Sequence, residues 1–564
     1  MSKRAEQSTT HLRMLILEAI SSAIKAEELP EAPIPNFSIE MPADRSHGDW
    51  ASNIAMVSAK TFHLPPQKIA ESIASHIVLD NSYFKCCEIA GPGFLNFFFN
   101  QQFYADVIRE IVQTGDQYGH SDYGQNQKVM IEFVSANPTG PMHMGNARGG
   151  ALGDCLASLM HAAGYDVWRE FYVNDAGNQI EKFGNSLEAR YLQLYLGEEN
   201  VPFPEDGYQG QDIKERAAEF AKINGDQFIG ADPTMRKKAL IDYALPRNIE
   251  KMERDLHKYG ITYDQWFLES TIHNNGELQE AISALTERGY TYEKDGALWY
   301  KATLFGSEKD DVLVRQNGNP TYFAADIAYH RNKFVKRGFD RCIDIWGADH
   351  HGHVARMKGA MEALGLDSSK LDVILMQLVR LTQNGEIVRM SKRTGKAIQL
   401  GDLLDEVPVD SARFLFNMRE ANSQMEFDLD LAVKQDAQNP VYYVQYARAR
   451  ICSIIKALAA DGITPHPCTD EELHLLTATE ERELILHLSR YTAEIIQAAK
   501  DYNPAHITRY VITLATLFHK FYDACRVRGD NPNLTNARLT LCTVTSTVIC
   551  NVLRMFKISA PESM

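Results

Sequence analysis

Apolar positions along the chain follow two periods, and between Lys128 and Tyr172 the two meet in one unit. Val129, Ile131, Phe133 and Val134 form a short β-branched and aromatic run, the pattern of a buried strand. Pro138, Gly140 and Pro141 then mark a turn. Beyond Gly145, residues Ala151, Leu152, Cys155, Leu156, Leu159 and Met160 recur at helical spacing. Gly164 stops that helix, and Val167, Trp168, Phe171 and Tyr172 open a second extended segment. The pattern predicts strand, loop, helix, strand, with the loop delivering His143 and Asn146 to a helix N-terminus. Backbone N–H groups and the helix dipole favour phosphate there. Gly145, without a Cβ, lets a flat ligand such as a nucleotide base approach the backbone.

Elsewhere the periods divide the chain into three regions. Residues 11–28 carry the apolar spacing of an amphipathic helix ended by Pro30, Pro33 and Pro35. Strand-like FSIEM, a helix around Gln67–Ile77 and the turn-and-strand EIAGPGFLNFFF complete a small α/β unit predicted over 1–124. The segment from about Ser186 to Ile261 is polar and helix-prone, which predicts an insertion splitting a doubly wound sheet. Short alternating runs between Trp299 and Phe334 lead to buried strands in RCIDIWGADHHG and LDVILMQLV. An α/β region over 125–436 is therefore expected. From Asn439 (an N-cap, with Pro440 at N1) the pattern is continuous helix. A further helix starts at Asn503-Pro504 and a last one spans about Leu539 to Phe556, giving an all-α bundle over 437–564.

At 564 residues, 45% hydrophobic and 23% charged, the chain is long enough to bury several cores. Its net charge of −16 argues against a basic nucleic-acid coat protein but leaves room for a local basic groove. No apolar run approaches the roughly 18 residues that span a bilayer, and the polar start MSKRAEQSTT predicts neither signal nor transit peptide. The nine cysteines are scattered without a CxxC pair, so buried thiols in a reducing cytoplasm are expected and a structural zinc is not. Three histidines beside Asp349 in WGADHHGH could suggest a metal, but no complementary ligand spacing accompanies them.

Several strings carry a resemblance. His143-Met144-Gly145-Asn146 resembles the HIGH motif of class I aminoacyl-tRNA synthetases, with Asn146 where the family usually has histidine. The surrounding Ala136, Asn137, Pro138, Thr139, Gly140, Pro141 and Met142 resemble the arginyl-tRNA synthetase form of it; HGDWASNIAM and AGPGFLNFFF resemble that family's extra N-terminal domain, and YVNDAGNQ looks like the same family. RMSKR resembles the KMSKS loop, with Arg389 and Arg393 at its first and last positions and Lys392 kept. The resemblance implies a Rossmann-like parallel sheet with insertions, an N-terminal domain that touches the tRNA corner, and a helical anticodon-binding domain.

It also implies roles. His143, Asn146 and Lys392 would stabilise phosphate charge. Gly145, Met390, Ser391, Gly347, Asp349 and His350 would contact ATP, with Asp349 also facing the amino acid. A guanidinium is planar, always charged and rich in donors, so its pocket needs carboxylates and a planar wall. Tyr322 and Asp326, four apart and on one face if helical, would grip it with Glu269 of YDQWFLES. Asn137 would hold the α-amino and carboxylate groups. Tyr442, Tyr446 and Arg448, in NPVYYVQYARARI, would meet tRNA by stacking and charge. The function implied is ATP-dependent activation of arginine and its transfer to the terminal adenosine of tRNA(Arg). Magnesium would arrive with ATP, with no tightly bound cofactor and a monomeric protein. The alternative is a paralogue that binds tRNA without catalysis, for which the Asn146 departure speaks.

Overall fold

The computed structural model describes residues 3–42, 44–388 and 398–564. At the N-terminus stand α1 (Lys3–Lys25), β1 (Ile39–Glu40), β2 (Trp50–Ser52), α2 (Ile54–Phe62), α3 (Pro66–His76), β3 (Phe84–Ala90), β4 (Phe94–Phe99) and α4 (Gln101–Thr114). The four strands form an antiparallel sheet in the order β1-β2-β4-β3. The first helix ends three residues before the expected Glu28. Ala26, Glu27 and Glu28 fold back onto the carbonyls of its last turn, with Glu27 at φ +60°, before any proline is reached.

The central sheet is built from β5 (Lys128–Glu132), which leads into α5 (Met144–Ala162) and β6 (Asp166–Val173). Helices α6 (Asn178–Leu196), α7 (Gln211–Asn224) and α8 (Pro233–Lys258) follow, then β7 (Gln265–Leu268), α9 (Glu269–Asn274) and α10 (Glu277–Glu287). The polar insertion is thus three helices around a small core of its own, with Phe183, Tyr191, Phe220 and Leu240 inside. Strands β8 (Thr291–Lys294), β9 (Ala297–Tyr300) and β10 (Asp311–Val314) make an antiparallel meander ahead of α11 (Tyr322–Arg331). The chain returns to the main sheet with β11 (Arg341–Gly347), α12 (His351–Ala363) and β12 (Leu371–Met376).

All five main strands are parallel, in the order β12-β11-β5-β6-β7. The chain builds outward from β5 in one direction and then returns on its other side through β11. In such sheets ligands bind in the crevice outside the carboxyl ends of the strands at the switch point, here between β5 and β11.

A small sheet of β13 (Val379–Gln383), β14 (Glu386–Val388) and β15 (Met425–Asp428) flanks α13 (Leu400–Glu406), α14 (Val409–Phe416) and α15 (Leu429–Val433). The rest is the bundle: α16 (Pro440–Ala460), α17 (Asp470–Leu473), α18 (Thr479–Leu488), α19 (Tyr491–Lys500), α20 (Ala505–Ala524) and α21 (Pro532–Met555). The last helix starts seven residues before the expected Leu539, because the Asn531 side chain caps it ahead of Pro532 at N1. Asn439 does precede α16, but its amide donates to Ala432 O, Lys434 O and Ser411 Oγ instead of capping the helix.

Candidate active site

The loop between β5 and α5 begins with backbone strain. Val134 (φ +71°) and Ser135 (φ +41°) both take left-handed conformations, uncommon for a non-glycine residue and an outlier for a β-branched one. Their surroundings hold them there. Ser135 Oγ donates to Glu132 Oε1 at 2.9 Å and accepts from Tyr172 N at 3.1 Å, while Tyr263 donates to Phe133 O at 3.1 Å. Further on, Asn248 Nδ2 of α8 donates to Pro138 O at 2.9 Å. Leu400 N bonds Met142 O at 2.9 Å, and His143 pairs in a short bridge with Gln399. Asn137 lies exposed on this loop.

His143 is the N-cap of α5. Its Nδ1 accepts from Gly145 N at 3.2 Å, and Asn146 Oδ1 accepts from His143 N at 3.0 Å. The close neighbour at Gly145 is the His143 ring itself: a Cβ there would stand 3.1 Å from ring atoms Cε1 and Nδ1. Asn146 spends its carbonyl on the reciprocal cap, leaving Nδ2 as its one donor group for a phosphate. Behind the cap, the buried Arg148 guanidinium donates to the carbonyls of Gln377, Glu420 and Ser423 and, among the described residues, pairs with no carboxylate; burial pulls it down to about 10. The residues Met390, Ser391 and Lys392, expected to complete the phosphate site, lie outside the described residues.

A second group gathers at the carboxyl ends of β6, β7 and β11. Glu269, 3% exposed, opens α9 directly after β7. Tyr172, at the end of β6, donates its hydroxyl to Glu269 Oε2 at 3.0 Å, and His273 Nε2 lies 3.3 Å from Oε1. Burial pushes the Glu269 carboxyl up, its bonds to Tyr172 and His273 pull it down, and nearby Asp326 pushes it up again. The Tyr172 phenol is also raised, by burial and then by Glu269 and Asp326, so it stays a donor. Tyr322 and Asp326 lie one turn apart on α11, as their spacing predicts. The Tyr322 hydroxyl accepts from Gln179 N at 3.1 Å, and Asp326 Oδ2 meets His353 Nε2 at 3.1 Å. At the end of β11, Gly347 makes room for Asp349, whose Oδ1 lies 2.4 Å from where a Cβ would be. Asp349 and His350 are largely exposed, 3.7 Å apart.

Beneath the crevice runs a buried polar network. After α11 the chain takes a π-turn at Asn332–Lys336, which brings Lys333 under the sheet. Its ammonium donates to Glu132 at 2.7 Å and to Asp344 at 2.9 Å, and His330 Nε2 lies 3.0 Å from Asp344. Lys333, although buried, is held protonated by these carboxylates.

On the bundle, the expected RNA-facing trio separates. Tyr446 is exposed and covered by the Arg450 guanidinium, 5.0 Å above its ring, which also lies 5.1 Å from Tyr522. Tyr442 is half-buried. Arg448 turns away: it donates to Cys550 Sγ at 2.8 Å and to Ala560 O, pinning the C-terminus. Sequence reading had no signal for that, because Arg448 and Arg450 look alike until the helix is packed. It gave no site role to Tyr172, His273 and Asn248 and weighed His353 only as one of three histidines that could suggest a metal; only the i,i+4 spacing of Glu269 and His273 was there to be read.

Three family profiles match the chain in succession. They are described as the arginyl tRNA synthetase N terminal domain (10–99), the catalytic domain of class I (R) tRNA synthetases (107–453) and the DALR anticodon binding domain (444–564). An arginine–tRNA ligase of Acetivibrio thermocellus is 52% identical and one of Caldanaerobacter subterraneus subsp. tengcongensis 54%, each over the full length of both chains. The Thermus thermophilus arginyl-tRNA synthetase structure superposes with a TM-score of 0.72 at 21% identity, covering 97% of this chain and 99% of that one.

Proposed function

The chain belongs to the arginyl-tRNA synthetase family, and from that premise we propose how its own residues carry out the reaction. It activates arginine with ATP and charges tRNA(Arg). In the first step a carboxylate oxygen of arginine attacks the α-phosphorus, forming arginyl-adenylate as the bond to pyrophosphate breaks. His143, the Asn146 amide and Lys392 stabilise the phosphate charge that develops. No covalent enzyme intermediate is needed, so rate comes from positioning and electrostatics. The triphosphate brings magnesium with it, which neutralises the leaving pyrophosphate. In the second step the 2′-OH of the terminal adenosine attacks the carbonyl of arginyl-adenylate, forming the ester to arginine as the acyl–phosphate bond breaks and AMP leaves.

Asn137 holds the α-amino and carboxylate end of arginine, and Glu269, Asp326 and Tyr322 hold the guanidinium. The observation that carries this assignment is the buried Glu269 carboxylate, facing a second carboxylate, at the end of the sheet that carries the capped α5. A buried carboxylate costs several kcal/mol to keep ionised without a cation, and a guanidinium supplies one. Asp349, His350, Gly347 and Gly145 line the ATP side. The Tyr446–Arg450 stack offers an unpaired base a face and a charge.

We assign domains to 1–124, 125–436 and 437–564, and a monomer working in the cytoplasm. Among the described residues no helix is long and apolar enough to cross a membrane. The test is ATP–pyrophosphate exchange with each amino acid, with and without tRNA. Exchange with arginine alone among amino acids, and only when tRNA is present, is the expected result. No exchange from a folded sample that still binds tRNA would restore the non-catalytic reading.

A further inference from the structure

Asp326 is a short side chain with broad freedom about its terminal torsion, yet a guanidinium bonds a carboxylate best when the two planes are fixed together. The structure fixes one of its oxygens from outside the substrate pocket. His353, in the first turn of α12, places Nε2 3.1 Å from Asp326 Oδ2. The imidazole itself has little freedom. Its ring centroid is 5.4 Å from that of Trp346 at the end of β11 and 5.7 Å from that of Phe323 on α11. Phe323 in turn is covered by the Arg356 guanidinium at 4.6 Å, and Arg356 is locked to Asp311 by two hydrogen bonds. A chain of contacts thus runs from the β10 strand to one carboxylate oxygen and leaves Oδ1 for a ligand. Glu269 is also held from the protein side, but at both oxygens, with His273 on its Oε1 and Tyr172 on its Oε2.

We propose that His353 is a positioning residue for arginine selection: it orients the Asp326 carboxylate before the guanidinium arrives and touches no substrate itself. The proposal rests on the reading that Asp326 binds the guanidinium. Ordering that side chain in advance removes an entropy loss from the binding step, so losing the histidine weakens arginine binding about three- to tenfold. The chemical step takes place at α5, and the His353 ring bonds Asp326 on the arginine side, so the ATP-side residues Gly145, Gly347, Asp349 and His350 keep their own contacts.

The atom that bonds Asp326 gives the test its selectivity. A glutamine amide nitrogen reproduces the position of Nε2, whereas an asparagine amide nitrogen sits where Nδ1 was and falls short. His353→Asn, His353→Gln and Asp326→Asn are compared with the parent enzyme in tRNA-supported ATP–pyrophosphate exchange, varying arginine and ATP separately. The expected result is a raised arginine KM for His353→Asn, with ATP KM and kcat unchanged, and recovery in His353→Gln. An unchanged arginine KM in His353→Asn, while Asp326→Asn raises it, overturns the proposal and leaves the pocket standing. Arginine and ATP KM rising together also overturns it, since that marks a packing defect. An unchanged arginine KM in Asp326→Asn brings down the pocket reading and the proposal together.

Discussion

Glu269 shows why a carboxylate can be read from a sequence while its behaviour cannot. YDQWFLES offered it through the family resemblance alone, and only the fold reveals that it directly follows β7, is buried and shares its surroundings with Asp326. Burial raises its carboxyl above the ordinary range, so at mildly acid pH a larger fraction of the empty enzyme holds it protonated. In the proposed pocket arginine requires the ionised form, and its arrival expels the proton. The arginine KM therefore rises as pH falls towards that raised titration, while the ATP KM stays flat. Glu269→Gln raises the arginine KM at neutral pH and removes this pH dependence. Arginine-saturation curves of exchange at several pH values check both parts.

At the scale of elements, the strand–loop–helix–strand unit was legible because each boundary carried its own signal. Gly164 takes φ +93° where α5 must stop, and the apolar spacing of Ala151 to Met160 is that of a helix buried nearly all round. The loop was less legible. Strain at Val134 and Ser135 is held by Glu132 at the end of β5 and by Tyr172 and Tyr263, which arrive from β6 and from the loop before β7. The reciprocal cap between His143 and Asn146 gives the element its own prediction. Asn146→Ala removes one of the two capping bonds, destabilises α5 locally by about 0.5–2 kcal/mol, and lowers kcat for exchange by loss of the amide donor. Asn146→Asp keeps the capping acceptor but puts a negative charge beside the phosphates, so it preserves local stability and loses activity. Hydrogen exchange in the first turn of α5, alongside kcat, separates the two effects.

Over the whole molecule, one carboxylate ties the catalytic sheet to the C-terminal bundle. Asp154 on α5 bonds Arg413 of α14 at 2.5 Å and Lys557, just past α21, at 2.8 Å, with Arg169 of β6 at 3.3 Å. Arg413 also donates to Tyr259 O and Phe556 O, and Lys557 to Gly260 O. Burial alone would raise the Asp154 carboxyl, but these cations outweigh it and hold it below the usual range. A depressed carboxylate stabilises the fold at pH above its unfolded value, and that stabilisation fades as pH falls through the lowered one. The contact between bundle and sheet should therefore weaken progressively as pH falls below about 4. Asp154→Asn strands three cations and costs about 3–5 kcal/mol at neutral pH; a urea titration that leaves the midpoint unmoved would contradict this. Nothing in the sequence marks the hub, because its members are scattered from Asp154 to Lys557 and each reads as an ordinary surface charge.

The central claim is that two carboxylates at the end of the sheet read the charge of arginine's guanidinium. Citrulline has the same shape with a neutral urea in its place. The most direct test is tRNA-supported ATP–pyrophosphate exchange with arginine and with citrulline, in the parent enzyme and in Glu269→Gln. The parent should strongly prefer arginine, and Glu269→Gln should narrow that preference by at least about tenfold, the equivalent of one lost charge-assisted hydrogen bond. A preference for arginine that survives Glu269→Gln unchanged would contradict the account and place the guanidinium elsewhere.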